Sequence, residues 1–168
     1  MDRILALWCN RLARRSPGWT FLSIFLASGL IWFLAAVVGV MAVLLLSPRF
    51  ADRLLLVALS SAIALAVSHG IGALRFRRRP FVALDAVVPL VTRAAHEKSF
   101  PSDHAAIAFA LVLPLVPFVG WGMQVALLTG ATLVAVGRVL VGLHYVSDVV
   151  AGAIIGGMVW VVMEQLLH

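Results

Sequence analysis

The chain has 168 residues, 63% of them hydrophobic and 12% charged, with a mean hydropathy of +1.09; this excludes a soluble globular domain and points to one polytopic membrane domain. The formal net charge of +6 comes from thirteen basic residues that flank apolar runs without an aromatic-rich basic patch. They argue against a nucleic-acid partner and for a lipid surface or a phosphate-bearing lipid. A single cysteine, Cys9, excludes an intramolecular disulfide and a cysteine-held metal cluster, and no metal or other cofactor is expected.

Residues 1–15 predict an amphipathic helix at the membrane surface, with Ile4, Leu5, Leu7, Trp8 and Leu12 apolar and Arg3, Arg11, Arg14 and Arg15 basic. Ser16-Pro17-Gly18 closes this interfacial segment, 1–18. From Trp19 to Leu46 no charge occurs, which predicts a retained, tilted first span over 19–46. Ser47 to Arg53 reads as a polar turn. A second span follows over 54–74, with His69 inside it as an interhelical packing residue whose loss should be mild. Residues 75–101 form the longest connection. It carries Arg75, Arg77, Arg78 and Arg79, which as a cluster suit lipid headgroups, and a polar run, His96-Glu97-Lys98-Ser99. In that run His96 suits a solvated loop, and Glu97 and Lys98, close to the turn at 101–104, suit a headgroup contact or a loop equally.

A third span over 102–119 should be kinked by Pro114 and Pro117. Gly120-Trp121-Gly122 reads as a tight hairpin, and further spans cover 122–140 and 145–166. His168 should be solvated. The expected architecture is therefore an all-α membrane bundle of about five transmembrane helices plus the interfacial helix. Gly152, Gly156 and Gly157 would let the last span pack closely on a neighbour; a homodimer through that face is a second, weaker use. Five spans bring 75–104 and 138–148 to the same side of the membrane.

Those two segments hold the chemistry. Ionisable groups at membrane depth are costly and mark function. His144 and Asp148 are four residues apart, so a carboxylate on one helical face could fix one imidazole nitrogen and leave the other as nucleophile or base. Arg138 can grip two phosphate oxygens at once. Pro101-Ser102-Asp103-His104 reads as a helix start, with Ser102 or Asp103 capping, free N–H groups facing an anion, and His104 able to protonate a leaving oxygen. Arg79-Pro80 adds a second cationic clamp. Together they suit phosphoryl transfer.

Arg79-Pro80, Pro101-Ser102-Asp103-His104 and Gly137-Arg138-x5-His144-x3-Asp148 resemble the three signature motifs of the type 2 phosphatidic-acid phosphatase superfamily over roughly 54–165. That resemblance implies His144 as a nucleophile forming a phosphohistidine, Asp148 orienting it and His104 as acid. It also implies Arg79, Arg138 and Ser102 as phosphate ligands, and no metal. Three positions depart from the pattern. Gly72 stands where the family has a lysine, with Arg75 as a candidate replacement; Gly137 replaces a serine; and Asp103, counted here with the substrate-binding residues, replaces a glycine. Ser99-Phe100-Pro101-Ser102-Asp103-His104 with Arg79-Pro80-Phe81 looks most like the bacitracin-resistance subgroup, whose members hydrolyse undecaprenyl pyrophosphate to the monophosphate and so recycle carrier lipid for peptidoglycan synthesis. A lipid monophosphate such as phosphatidylglycerophosphate or phosphatidic acid is the alternative substrate. A lipid-binding scaffold is the non-enzymatic reading.

Eleven of the thirteen basic residues fall on the side of the motifs, against Arg49 and Arg53 on the other. The positive-inside rule therefore favours a cytoplasmic site. The resemblance implies the opposite, an extracytoplasmic site on the bacterial inner membrane, and that is the expectation adopted.

Overall fold

The computed structural model describes residues 1–44, 48–92 and 98–167, with 42–44 and 48–51 as backbone only. Expectations placed on Ser47, Arg93, His96, Glu97 and His168 lie outside the described residues. No strand occurs among those described, and the helices run α1 (Asp2–Ala13), α2 (Pro17–Ile24), a π-turn (Phe25–Gly29), α3 (Leu30–Leu44), α4 (Pro48–Leu74), α5 (Pro80–Ala83), α6 (Asp103–Val112), a 3-10 stretch (Leu113–Phe118), α7 (Trp121–Leu140) and α8 (Val146–Leu167).

Four stretches are long and apolar enough to cross a membrane: Pro17–Met41, Asp52–Leu74, Trp121–Leu140 and Val146–Leu167. The fifth expected span is shorter, Asp103–Phe118. Its proline-rich second half is wound as a 3-10 helix that contains Pro114 and Pro117. Because a 3-10 helix rises about 2 Å per residue rather than 1.5 Å, the segment covers about 27 Å, close to the hydrocarbon thickness. Its two ends confirm the reach. Asp103 contacts Ser68 near the end of α4, whereas Phe118 lies under the Arg53 guanidinium at the other end, 4.0 Å from ring centroid to charge. Arg53 also pairs with Glu164 near the end of α8.

Two predicted turns are helical instead. Proline at a first helical position costs no hydrogen bond, so Pro48 opens α4 and the stretch from Pro48 to Arg53 belongs to that helix. Gly120 precedes α7, which already contains Trp121 and Gly122.

The exterior is apolar, with Phe21, Trp32, Phe33, Leu55, Ile154 and Met158 exposed, whereas the interior of α6 is alanine: Ala105, Ala106, Ala108 and Ala110 are fully buried. In lipid, helices associate through close packing of small residues rather than by hiding apolar surface from water. A Cβ on Gly152 would lie 2.4 Å from the Ser102 carbonyl oxygen, and one on Gly156 would lie 2.4 Å from that of Ala106. The glycine face of α8 is therefore covered by α6 within the chain, and a second copy would have to use another surface.

Helix α1 lies at the end of the bundle that carries the motifs. Ile4, Leu5 and Trp8 are exposed, and Ala6, Asn10 and Ala13 face inward. Asn10 fastens the helix there: its Nδ2 donates to the carbonyls of Val88 (2.9 Å) and Leu140 (3.1 Å), and its Oδ1 accepts from Val88 N (3.0 Å). A buried amide with three satisfied hydrogen bonds is a specific tie.

Candidate active site

At that end a cavity of about 480 Å³ is lined by Leu65 and His69 of α4, Arg79, Lys98, Asp103, His104 and Ile107 of α6, Arg138 of α7, and His144. The expected residues Arg79, Asp103, His104, Arg138 and His144 thus converge. Asp148 and Ser102 are fully buried and outside this lining. Arg75 is exposed and outside this lining, because α4 ends at Leu74 and the chain turns away before Arg79.

The α7–α8 connection aims Arg138 and His144 into the same space. Gly142 makes this turn at φ +79, a conformation natural to glycine and strained for other residues. Leu143 N and His144 N both donate back to the Arg138 carbonyl, at 3.2 and 3.3 Å. His144 precedes α8, so it does not share a helical face with Asp148. Its Nδ1 lies 2.7 Å from the Ser99 carbonyl oxygen, whereas Asp148 Oδ2 is 3.9 Å away. The expected imidazole–carboxylate hydrogen bond is therefore replaced by one to the backbone. A carbonyl oxygen can only accept, so Nδ1 carries the hydrogen and Nε2 keeps its lone pair.

Asp148 is fully buried and acts as a hub. Its Oδ2 accepts from Ser99 Oγ (2.5 Å) and Tyr145 N (2.8 Å), and its Oδ1 from Arg77 Nη1 (2.6 Å). The carboxylate thus holds Ser99, whose carbonyl holds His144. Arg77 is marked in the sequence only as one of the headgroup-contacting arginines. It also pairs with Asp2 (2.7 Å), donates to Ser147 Oγ (2.7 Å) and stacks on Tyr145 (3.9 Å). Burial would raise the Asp2 carboxyl, but hydrogen bonds from Ser147 and Arg77 bring it below the ordinary carboxylate value.

Burial, reinforced by the positive charges of Arg138 and Arg79, pushes His144 well below the ordinary imidazole value, so the ring is held neutral. Arg138 is 2% exposed and its Nη1 donates to the Ala27 carbonyl (3.1 Å) in the π-turn. A Cβ on Gly137 would stand 2.5 Å from Ala27 N and 2.6 Å from the Leu26 carbonyl carbon. Glycine at 137 is therefore what lets the π-turn reach Arg138.

Arg79 is buried at the start of α5, and its Nη1 donates to the Leu143 carbonyl (3.4 Å). Ser102 occupies the N-cap position of α6, but its hydroxyl makes no capping bond. That hydroxyl is buried and has no hydrogen-bond partner among the described residues. Asp103 does not cap either. Its Oδ1 takes Ser68 Oγ (2.5 Å) and Lys98 Nζ (3.1 Å), and its Oδ2 lies 3.6 Å from His69 Nε2. His69, expected between helices, lines the cavity, and Lys98, expected either at a headgroup or on a loop, does too.

Comparisons with known proteins bear on the family and the fold. Residues 53–168 match the family described as the PAP2 superfamily. The chain is 31% identical over 161 residues to "Putative undecaprenyl-diphosphatase YbjG" of Escherichia coli (strain K12), covering 94% of this chain and 78% of that protein. Among solved structures, LpxE of Aquifex aeolicus superposes with a TM-score of 0.74 at 22% identity, over 98% of this chain and 94% of that one. A transmembrane PAP2-type phosphatidylglycerolphosphate phosphatase from Bacillus subtilis gives 0.64 at 19% identity, over 98% and 83%.

Proposed function

The chain belongs to the PAP2 superfamily, and from that premise we propose that this membrane lipid phosphatase hydrolyses an isoprenyl diphosphate of the undecaprenyl type through a phosphohistidine on His144. The single observation that carries the mechanism is the Ser99 carbonyl 2.7 Å from His144 Nδ1, which leaves Nε2 as the nucleophile. Nε2 attacks the terminal phosphorus, the bond to the bridging oxygen breaks, and His104 gives that oxygen a proton. Arg79, Arg138 and the Ser102 hydroxyl hold the non-bridging oxygens as charge develops. Water then attacks the phosphohistidine with His104 as base, releasing inorganic phosphate and restoring the imidazole. The lipid monophosphate stays in the bilayer. The diphosphate reading is supported by the named activity of the E. coli relative.

Among the described residues no three His, Cys, Asp or Glu side chains converge as a metal cluster, and we propose turnover without one. The purified protein should release phosphate from undecaprenyl diphosphate with a chelator present, and faster than from phosphatidylglycerophosphate or phosphatidic acid. Loss of release on chelation would remove the metal-free mechanism. Preference for a glycerolipid monophosphate would move the substrate to that class.

A neutral nucleophile also fixes the pH dependence. Because the His144 value is lowered from 6.5, the reactive form persists as pH falls through 6.5 and is lost only below it. The acid limb of kcat/KM, which reports the free enzyme, is expected below that pH. A limb centred at or above 6.5 would contradict a neutral Nε2 nucleophile.

We further propose that the site opens on the extracytoplasmic face of a bacterial inner membrane. The opposing charge count weakens once four of the eleven basic residues, Arg77, Arg79, Lys98 and Arg138, are assigned to the site and its supports. In cells, a cysteine replacing exposed Phe76, with Cys9 changed to alanine, should react with an impermeant maleimide. Labelling only after lysis would reverse the orientation.

A further inference from the structure

We propose that Lys98, anchored by Asp103, forms a second anion subsite on the leaving-group side of the cavity and selects lipid diphosphates over lipid monophosphates. The inference rests on the phosphatase reading and adds the residue that distinguishes its substrates.

Lys98 enters the cavity by an unusual route. It arrives from the connection before α6 and lies across Gly72 of α4, where a Cβ would stand 2.0 Å from its Cδ and 2.6 Å from its Nζ. A Cβ there would force the Lys98 side chain to shift from this path. The ammonium then donates to the Ser68 carbonyl (2.7 Å) and to Asp103 Oδ1 (3.1 Å). An ammonium has three hydrogens, and these two oxygens use two of them among the described residues. The third is available to a phosphate oxygen. Asp103 is itself fixed by Ser68 Oγ at 2.5 Å, so it holds the cation in place rather than moving with it.

The position within the cavity gives this cation its role. His144, Arg79 and Arg138 gather around the α7–α8 connection, where the phosphoryl group is transferred. Lys98 is held by Asp103, the chain neighbour of His104, and all three line the same cavity; His104 protonates the departing oxygen. In a lipid diphosphate that oxygen belongs to a phosphate that remains on the lipid and bears negative charge. In a lipid monophosphate it becomes an uncharged alcohol. A cation held by the chain neighbour of His104 therefore meets an anion with the first substrate and none with the second.

The test uses the full chain, purified in detergent, with an isoprenyl diphosphate and the monophosphate of the same tail. Removing a charge-assisted contact to the leaving phosphate should lower the ratio of the two kcat/KM values by about tenfold or more in Lys98→Gln. That variant leaves Asp103 uncompensated and slows both substrates, so Lys98→Gln/Asp103→Asn is compared with it; there the ratio should stay low while monophosphate turnover improves on the single variant. Gly72→Ala suits a helix and alters no charge, yet it displaces Lys98, and it should lower the ratio in the same sense. It also covers failure of the Lys98 variants to fold. A ratio within about twofold of the parent in the variants that fold, or a parent that prefers the monophosphate, overturns the subsite and leaves the phosphatase reading standing. No phosphate release from either substrate by the parent overturns both.

Discussion

Replacing His144 by alanine is expected to reduce phosphate release by at least about a thousandfold, as losing a nucleophile does elsewhere. The protein should nonetheless remain folded in detergent. The side chain is buried and makes one hydrogen bond to the Ser99 carbonyl, so its loss costs about 1–3 kcal/mol. The covalent intermediate separates this from a general disturbance of the site. Turnover of substrate labelled on its terminal phosphate, quenched rapidly in alkali, should leave acid-labile label on the parent protein and none on His144→Ala. His104→Ala, by contrast, should slow release by roughly a hundredfold to ten-thousandfold and still accept label. Label retained on His144→Ala would place the nucleophile elsewhere.

The second large effect is expected at Asp148, in stability as well as rate. Removing one partner of a buried ion pair costs about 3–5 kcal/mol. Here Arg77 keeps Asp2 and its side chain is 34% exposed, so it remains partly solvated. The loss in Asp148→Ala therefore comes chiefly from Tyr145 N–H, stripped of its acceptor, and Ser99 Oγ, left with a long 3.5 Å contact to the Leu143 carbonyl, and should fall near about 3 kcal/mol. Activity should fall with it, because Ser99 then no longer fixes His144. Asp148→Asn, which can still accept but carries no charge, should retain more of both. Thermal midpoints in detergent and phosphate release read the two effects. An Asp148→Ala protein as stable as the parent would show that the hub is not a structural support.

The spans and the principal site residues were legible because hydropathy marks the former and charged residues at span ends mark the latter. Arg79, His104, Arg138 and His144 reach one cavity as the motif spacing predicts. What stayed hidden depends on tertiary geometry. Spacing i, i+4 suggested a His144–Asp148 bond, but His144 lies before the helix starts, so the spacing does not put the two on one face. Arg79 was marked by the proline that follows it, whereas nothing local set Arg77 apart in the arginine cluster; only the fold turns it towards Asp148. The 3-10 winding that lengthens the 103–118 segment was foreshadowed by Pro114 and Pro117, though only as a kink. Proximity to the turn at 101–104 made a headgroup contact by Lys98 as plausible as a loop position, but its path across Gly72, 26 residues earlier, is set by the fold.

The π-turn at Phe25–Gly29 has a bearing on where the enzyme begins. The family-matched segment starts at residue 53, yet the carbonyl that accepts from Arg138 belongs to Ala27, and the carboxylate that steadies Arg77 belongs to Asp2. The first span and the interfacial helix are thus not a detachable anchor for a catalytic module. They brace residues of the chamber from outside its lining, and a chain grafted at residue 53 onto another membrane helix would inherit the signature residues without the backbone that holds them in place.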